Sequence, residues 1–284
     1  MTLRIVSLLL CLAAPGRASE SSLEEHAAGA QLTYPGFADV RETASDLPTV
    51  AGRAVGPGSR GLVVLVHGFN PAGDDFAPLE SELRRRGYEV VRFHYDWRRV
   101  IDRSADEFVL FVRDIRSRRP LASLKVIAHS MGGLVTRRAM TEGRALTLAG
   151  DLPIDLLTVA TPFGGIPVAN WTLLVPVNIC GLQDSHRCLR TAGSLVTKPG
   201  RLGPNVSHYK VDTREEGETR VFRGRLIKDV RVQLADQRNA EVDGDPRVVL
   251  SETIAAGHVG SLDHEGRVSE GLLKVLDRFA PPLP

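Results

Sequence analysis

From Gly61 onward, short apolar runs alternate with stretches of helical spacing. Leu62 to Val66 is an unbroken apolar run, largely β-branched. A strand covered on both faces has no polar side to present, so this is the pattern of a strand inside a parallel sheet. Phe76, Leu79 and Leu83 then fall on one helical stripe. Glu89 to Tyr95 predicts a second strand, and Phe108, Phe111 or Val112, and Ile115 mark a second helix. Lys125 to Ala128 predicts a third strand, Leu134 to Met140 the helix behind it, and Leu156 to Ala160 a fourth strand. A β-α-β-α order calls for a parallel sheet with helices on both faces, because each crossover returns the chain to the same sheet edge. After Thr161-Pro162-Phe163-Gly164-Gly165 the period lapses for about forty residues. Order returns with a strand over Val230 to Leu234 and a helix carrying Val268, Leu272, Val275 or Leu276, and Phe279. Pro281 and Pro282 cannot continue that helix.

The lapse, about 163–207, reads as an insertion within one α/β domain spanning 61–284. Trp171, Leu173, Leu174, Val175, Pro176, Val177 and Ile179 make it apolar. A long insertion of that composition is expected to be a lid over an apolar site; the alternative is a surface excursion packed on the body. Residues 19–60 are polar and without period, and are expected to form an N-terminal arm. Before them, Arg4 precedes the apolar stretch Ile5 to Ala14, followed by Pro15-Gly16-Arg17-Ala18. A charged start, a short apolar core and small residues describe an export signal with cleavage after Ala18, the alternative being an N-terminal membrane anchor. Cys11 lies inside the apolar run, without the small residues before it that a lipidated cysteine requires.

Export changes the reading of Cys180 and Cys188. Two cysteines this close in an exported chain are expected to form a disulfide, the alternative being two buried thiols. The loop closed is short, so its stabilisation belongs at the modest end of about 2–4 kcal/mol. The formal net charge is only +2, and no basic stripe is interleaved with aromatics, so nucleic acid is excluded as an expected partner. The run Arg84 to Arg86 reads as the solvated end of a helix.

Chemistry concentrates at Lys125-Val-Ile-Ala-His-Ser-Met-Gly-Gly133. A strand, a sharp turn and a helix meet at Ser130. Such a turn strains the serine backbone and needs small residues two positions to either side, here Ala128 and Gly132. It lifts the Ser130 hydroxyl above the sheet edge and points the N–H of Met131 at a developing oxyanion. The second oxyanion donor is expected from the loop His67-Gly68-Phe69-Asn70, as the N–H of Phe69. A serine hydroxyl needs a base. Of eight histidines, His258 in Ala-Gly-His-Val-Gly-Ser lies shortly before the last helix, where the chain order serine, acid, histidine places the base. His264 is the runner-up. His129 is expected to be structural, and His26, His94, His186 and His208 have no comparable placement. A carboxylate should fix the tautomer of the base. Asp236, Asp243 and Asp245 all precede His258, and order alone does not choose among them. The alternative for each is a turn-forming aspartate.

His-Gly-Phe-Asn after a buried strand, Tyr95-Asp96-Trp97-Arg98, Ala-His-Ser-Met-Gly-Gly and Thr-Pro-Phe-Gly-Gly occur in this order. Together they resemble the α/β-hydrolase superfamily, and within it the lipase and lecithin:cholesterol acyltransferase-like serine esterases. The resemblance covers roughly 61–165 well and 240–279 weakly. It implies an α/β-hydrolase fold, a mostly parallel sheet with a lid insertion. It also implies Ser130 as nucleophile, His258 as base and no metal or other cofactor. Such enzymes often carry the acid as the second aspartate of an Asp-Gly-Asp-Gly-Thr-Val-like turn, which maps to Asp245, although Pro246 and Arg247 depart from that pattern. The expected activity is hydrolysis of carboxylic esters, of lipid-like or otherwise hydrophobic acyl groups, with membrane-surface contact through the lid. The alternatives are transfer of the acyl group to an alcohol, cleavage of amides, and a non-catalytic binding protein on the same fold.

Overall fold

The computed structural model of this 284-residue chain describes residues 61–69, 76–118, 120–166, 188–191, 193–214, 219–222, 225–228, 232–263 and 265–282. Strands β1 (Leu62–Val66), β2 (Glu89–Phe93), β3 (Leu124–His129), β4 (Ile154–Val159), β5 (Val206–Thr213) and β8 (Val248–Ile254) form one sheet. Its order is β2-β1-β3-β4-β5-β8 and every pairing is parallel. All six strands therefore end at the same edge. Strands β6 (Thr219–Phe222) and β7 (Arg225–Lys228) pair antiparallel as a separate hairpin.

Alternate residues of the strands face opposite layers, as a period of two requires. Val63, Leu65, Ile127, Leu157 and Val211 pack with Leu79 and Leu83 of α1 (Ala77–Arg85) and Leu272, Val275, Leu276 and Phe279 of α8 (Glu270–Phe279). Leu62, Val64, Val126, Ala128 and Leu156 pack with α2 (Ile101–Arg118), α3 (Met131–Ala139) and α4 (Arg144–Ala149) on the other face. Three short helices complete the described chain: α5 (Ser194–Thr197), α6 (Leu234–Gln237) and α7 (Ala240–Asp243). Among the described residues, no helix is long and apolar enough to cross a membrane.

The structure departs from the sequence reading in four places. Strand β2 stops at Phe93 rather than Tyr95. Arg86 is buried rather than solvated, held by Glu82, Asp277 and the Ala280 carbonyl. The strand expected over Val230 to Leu234 does not form as such: Leu234 opens α6, with Gln233 and Asp236 closing a capping box, and Val230 lies outside the described residues. Strand β5 had no apolar signature because His208, Lys210 and Asp212 are polar, yet all three are buried. Lys210 is neutralised by both oxygens of Asp212, at 2.7 Å each, and by Asp243 at 3.0 Å. Of the expected insertion, the described part after Cys188 packs on the body through buried Leu189, Leu195 and Leu202. The arm, residues 167–187 including Cys180, and His264 lie outside the described residues, as do His26 and His186.

Candidate active site

Strand β3 delivers Ser130 to the sheet edge, with φ 51° and ψ −127°. Positive φ in a non-glycine residue costs on the order of 1–3 kcal/mol and persists only where its surroundings enforce it. Here the Ser130 N–H donates to the Val159 carbonyl at 2.9 Å, and its carbonyl accepts from Gly133 at 3.0 Å. The two glycines that follow have a steric reason. A Cβ on Gly132 would lie 2.4 Å from the His67 carbonyl oxygen and 2.7 Å from that of Val66; one on Gly133 would lie 1.9 Å from Thr161 Oγ1. The start of α3 is thus wedged between the chain leaving β1 and the chain leaving β4. That wedge sets Gly132, next to the buried Met131 that opens α3, against the chain that leads from β1 to Phe69. The Phe69 ring packs against Trp97, centroids 4.3 Å apart, and remains partly exposed.

His258 follows β8, across the same edge. Its Nε2 lies 3.0 Å from Ser130 Oγ, the geometry for a hydroxyl donating to a neutral imidazole. The loop carrying His258 is tied to the turn at Ser130. His129, fully buried, donates from Nε2 to the His258 carbonyl at 2.8 Å, and Ser261 Oγ donates to the same oxygen at 3.2 Å. Ser261 is in turn bonded through its own carbonyl by the Ser269 hydroxyl at 3.1 Å, and Ser269 caps α8. His129 was expected only to be structural; its link to the His258 loop has no signal in the sequence beyond its adjacency to Ser130.

The three aspartates drawn from the sequence sit elsewhere. Asp245 Oδ2 accepts from Arg137 at 2.8 Å and from the Leu202 N–H at 3.1 Å, and Oδ1 accepts from the Arg247 N–H at 3.0 Å. Burial raises the Asp245 carboxyl pKa, but these donors outweigh it and hold it below its ordinary value. The structure therefore gives Asp245 to Arg137 of α3, and not to His258. The physical reason is that Arg137 is itself buried in α3 and needs a counter-charge. Asp236 caps the Gln233 N–H, and Asp243 accepts from the Asn239 N–H and pairs with Lys210. His208, in β5, is buried with its Nε2 2.8 Å from Thr158 Oγ1 of the neighbouring β4. His94 lies beside His67, ring centroids 5.6 Å apart. The Thr-Pro-Phe-Gly-Gly segment is a packing device: Phe163 is buried, and a Cβ on Gly164 would lie 2.6 Å from the Arg238 carbonyl oxygen. Among the described residues, no cluster of His, Cys, Asp and Glu is arranged to hold a metal ion.

Comparison with solved structures gives the fold from outside. The mature form of the lipase BlEst2 from Bacillus licheniformis superposes with a TM-score of 0.54 at 14% identity, covering 80% of this chain and 94% of that one. A Listeria innocua protein, the product of gene lin2722, does so with 0.52 at 12% identity, covering 80% and 96%. The chain spans only 38% of the propeptide form of the same Bacillus lipase, where 57% of it superposes at 17% identity with a TM-score of 0.46. No curated protein matches the sequence. The model of the alpha/beta hydrolase family matches residues 63–270, most of the chain and all of the sheet but Leu62. With that match and this architecture, the chain belongs to the alpha/beta hydrolase family.

Proposed function

We propose that this protein is a serine hydrolase of carboxylic esters, with Ser130 as nucleophile and His258 as base. The 3.0 Å approach of His258 Nε2 to Ser130 Oγ, at a strained turn, carries the reading. His258 takes the hydroxyl proton as Oγ attacks the ester carbonyl. The oxyanion forms at the start of α3, where the N–H groups of Met131 and Phe69 are the proposed donors. The tetrahedral intermediate expels the alcohol, which receives the proton from His258, and an acyl group remains on Ser130. Water repeats the sequence and releases the carboxylic acid. Asp245, which the family resemblance implied as the acid, has no part in this mechanism, because its carboxylate already neutralises Arg137.

An apolar acyl group suits the aromatic pair Phe69 and Trp97 beside the nucleophile turn and the apolar composition of the 163–207 insertion. The leader-like first eighteen residues support export as the setting. A panel of p-nitrophenyl esters from acetate to palmitate tests the reading. Hydrolysis that rises with chain length is expected; no turnover of any ester contradicts it. Adding an alcohol and analysing the products separates hydrolysis from acyl transfer.

A further inference from the structure

Tyr95 leaves the sheet just after β2 and turns back into the molecule, 7% exposed. Its ring stacks on the His67 imidazole, centroids 4.4 Å apart and planes within 8° of parallel. Its hydroxyl lies 3.0 Å from the His67 carbonyl oxygen and 3.3 Å from that of Gly68, so one proton is shared between two acceptors. The Tyr95 backbone N–H donates to His67 Nε2 at 3.3 Å. That fixes the tautomer: Nε2 accepts, so the proton is on Nδ1, which lies 2.9 Å from the Gly68 carbonyl oxygen and donates to it. The Gly68 carbonyl is therefore gripped by two donors, the Tyr95 hydroxyl and His67 Nδ1–H.

The consequence lies across the peptide bond. The Gly68–Phe69 bond is trans, as are all described peptide bonds, and a trans peptide holds its C=O and N–H antiparallel in one plane. Gripping the Gly68 carbonyl fixes the direction of the Phe69 N–H, which points away from Tyr95. The preceding carbonyl, that of His67, abuts Gly132 so closely that no Cβ would fit between them. The loop is thus held by Tyr95 on one side and by the start of α3 on the other.

We propose that Tyr95 is a positioning residue of the oxyanion hole. Its hydroxyl, together with the His67 imidazole, locks the Gly68–Phe69 peptide so that the Phe69 N–H is aimed before substrate arrives. A dipole already oriented stabilises developing charge without reorganising, which is the source of its catalytic effect. The clamp has work to do only if Ser130 and His258 hydrolyse esters as proposed above.

Tyr95→Phe removes the hydroxyl and keeps the ring and its stack on His67. Turnover of p-nitrophenyl esters is expected to fall about 10- to 100-fold, less than the roughly 10²–10³ for losing an oxyanion donor outright, with KM changed by less than about twofold. The inhibition constant of a trifluoromethyl ketone, whose adduct places an oxyanion in the hole, should rise by the same factor as kcat/KM falls. A residue that only packs would lower the melting temperature and leave both ratios unchanged per folded molecule. If wild type hydrolyses esters and Tyr95→Phe matches it in kcat and in ketone affinity, the clamp is wrong and the ester reading stands. If wild type hydrolyses no ester, both fall together. Should Tyr95→Phe be recovered unfolded, His67→Leu removes the other donor to the Gly68 carbonyl and is judged by the same two ratios.

Discussion

Asp245 and Arg137 are each almost fully enclosed, with side-chain exposures of 1% and 3%. A lone guanidinium at that depth is costly, which sets what Asp245→Asn should do. Breaking a buried pair by removing one partner typically costs about 3–5 kcal/mol, because the other charge stays behind. We expect a loss of that order in urea unfolding, while kcat per folded molecule stays within about tenfold of wild type. A fall on the order of 10⁴ in kcat with unchanged stability would instead restore Asp245 as the orienting acid. The sequence was legible where one residue has one chemical use: Ser130 and His258 meet at the edge where the motif order placed them. It was not legible among the aspartates. A carboxylate beside a turn has the same local pattern whether it faces an imidazole, an arginine or its own backbone, and only the packing of α3 shows which.

Between elements, the closest fit is at the first turn of α3. Sequence alone asks for a small residue at Gly132; the structure shows that the neighbour is backbone, the carbonyls of Val66 and His67, which cannot swing aside as a side chain could. Gly132→Ala should therefore cost about 1–3 kcal/mol of stability by overpacking. It should also displace the loop bearing Phe69, so kcat should fall further than the unfolded fraction explains. Thermal melting and ester turnover on the same sample separate the two effects, and full activity in a folded variant would show that the loop tolerates the shift. Strands β1, β3 and β4 were readable as apolar runs because both their faces are covered. Strand β5 was not, because one face carries the buried polar set His208, Lys210 and Asp212, in which Lys210 pairs with Asp212 and with Asp243, and His208 with Thr158 on the neighbouring strand. Helices α6 and α7 are one turn each, too short for any period to show.

At the scale of the whole molecule, a parallel sheet brings the ends of six strands to one edge, and Phe69, Ser130 and His258 follow three of them, β1, β3 and β8. The same buried polar layer that hid β5 makes the fold sensitive to acid. Burial, then Arg137 and Lys210, hold the His208 pKa well below 6.5. As pH falls below about 6.5 the unfolded chain takes up a proton that the native state refuses, so this contribution is complete above that pH and is lost on acidification. Denaturant titrations at pH 7 and pH 5 should show lower stability at pH 5, with a slope approaching about 1.4 kcal/mol per pH unit for this one group. His208→Gln should flatten that slope whatever it does to the stability at pH 7; an unchanged slope would place the titrating group elsewhere. The central claim, that Ser130 is the nucleophile activated by His258, is tested most directly by covalent capture. The purified protein is treated with a fluorophosphonate, digested, and mapped by mass spectrometry alongside Ser130→Ala. The account predicts one adduct per chain, on the peptide containing Ser130, appearing in step with loss of ester hydrolysis and absent from the variant. An adduct on another residue, or ester hydrolysis that survives in folded Ser130→Ala, would contradict it.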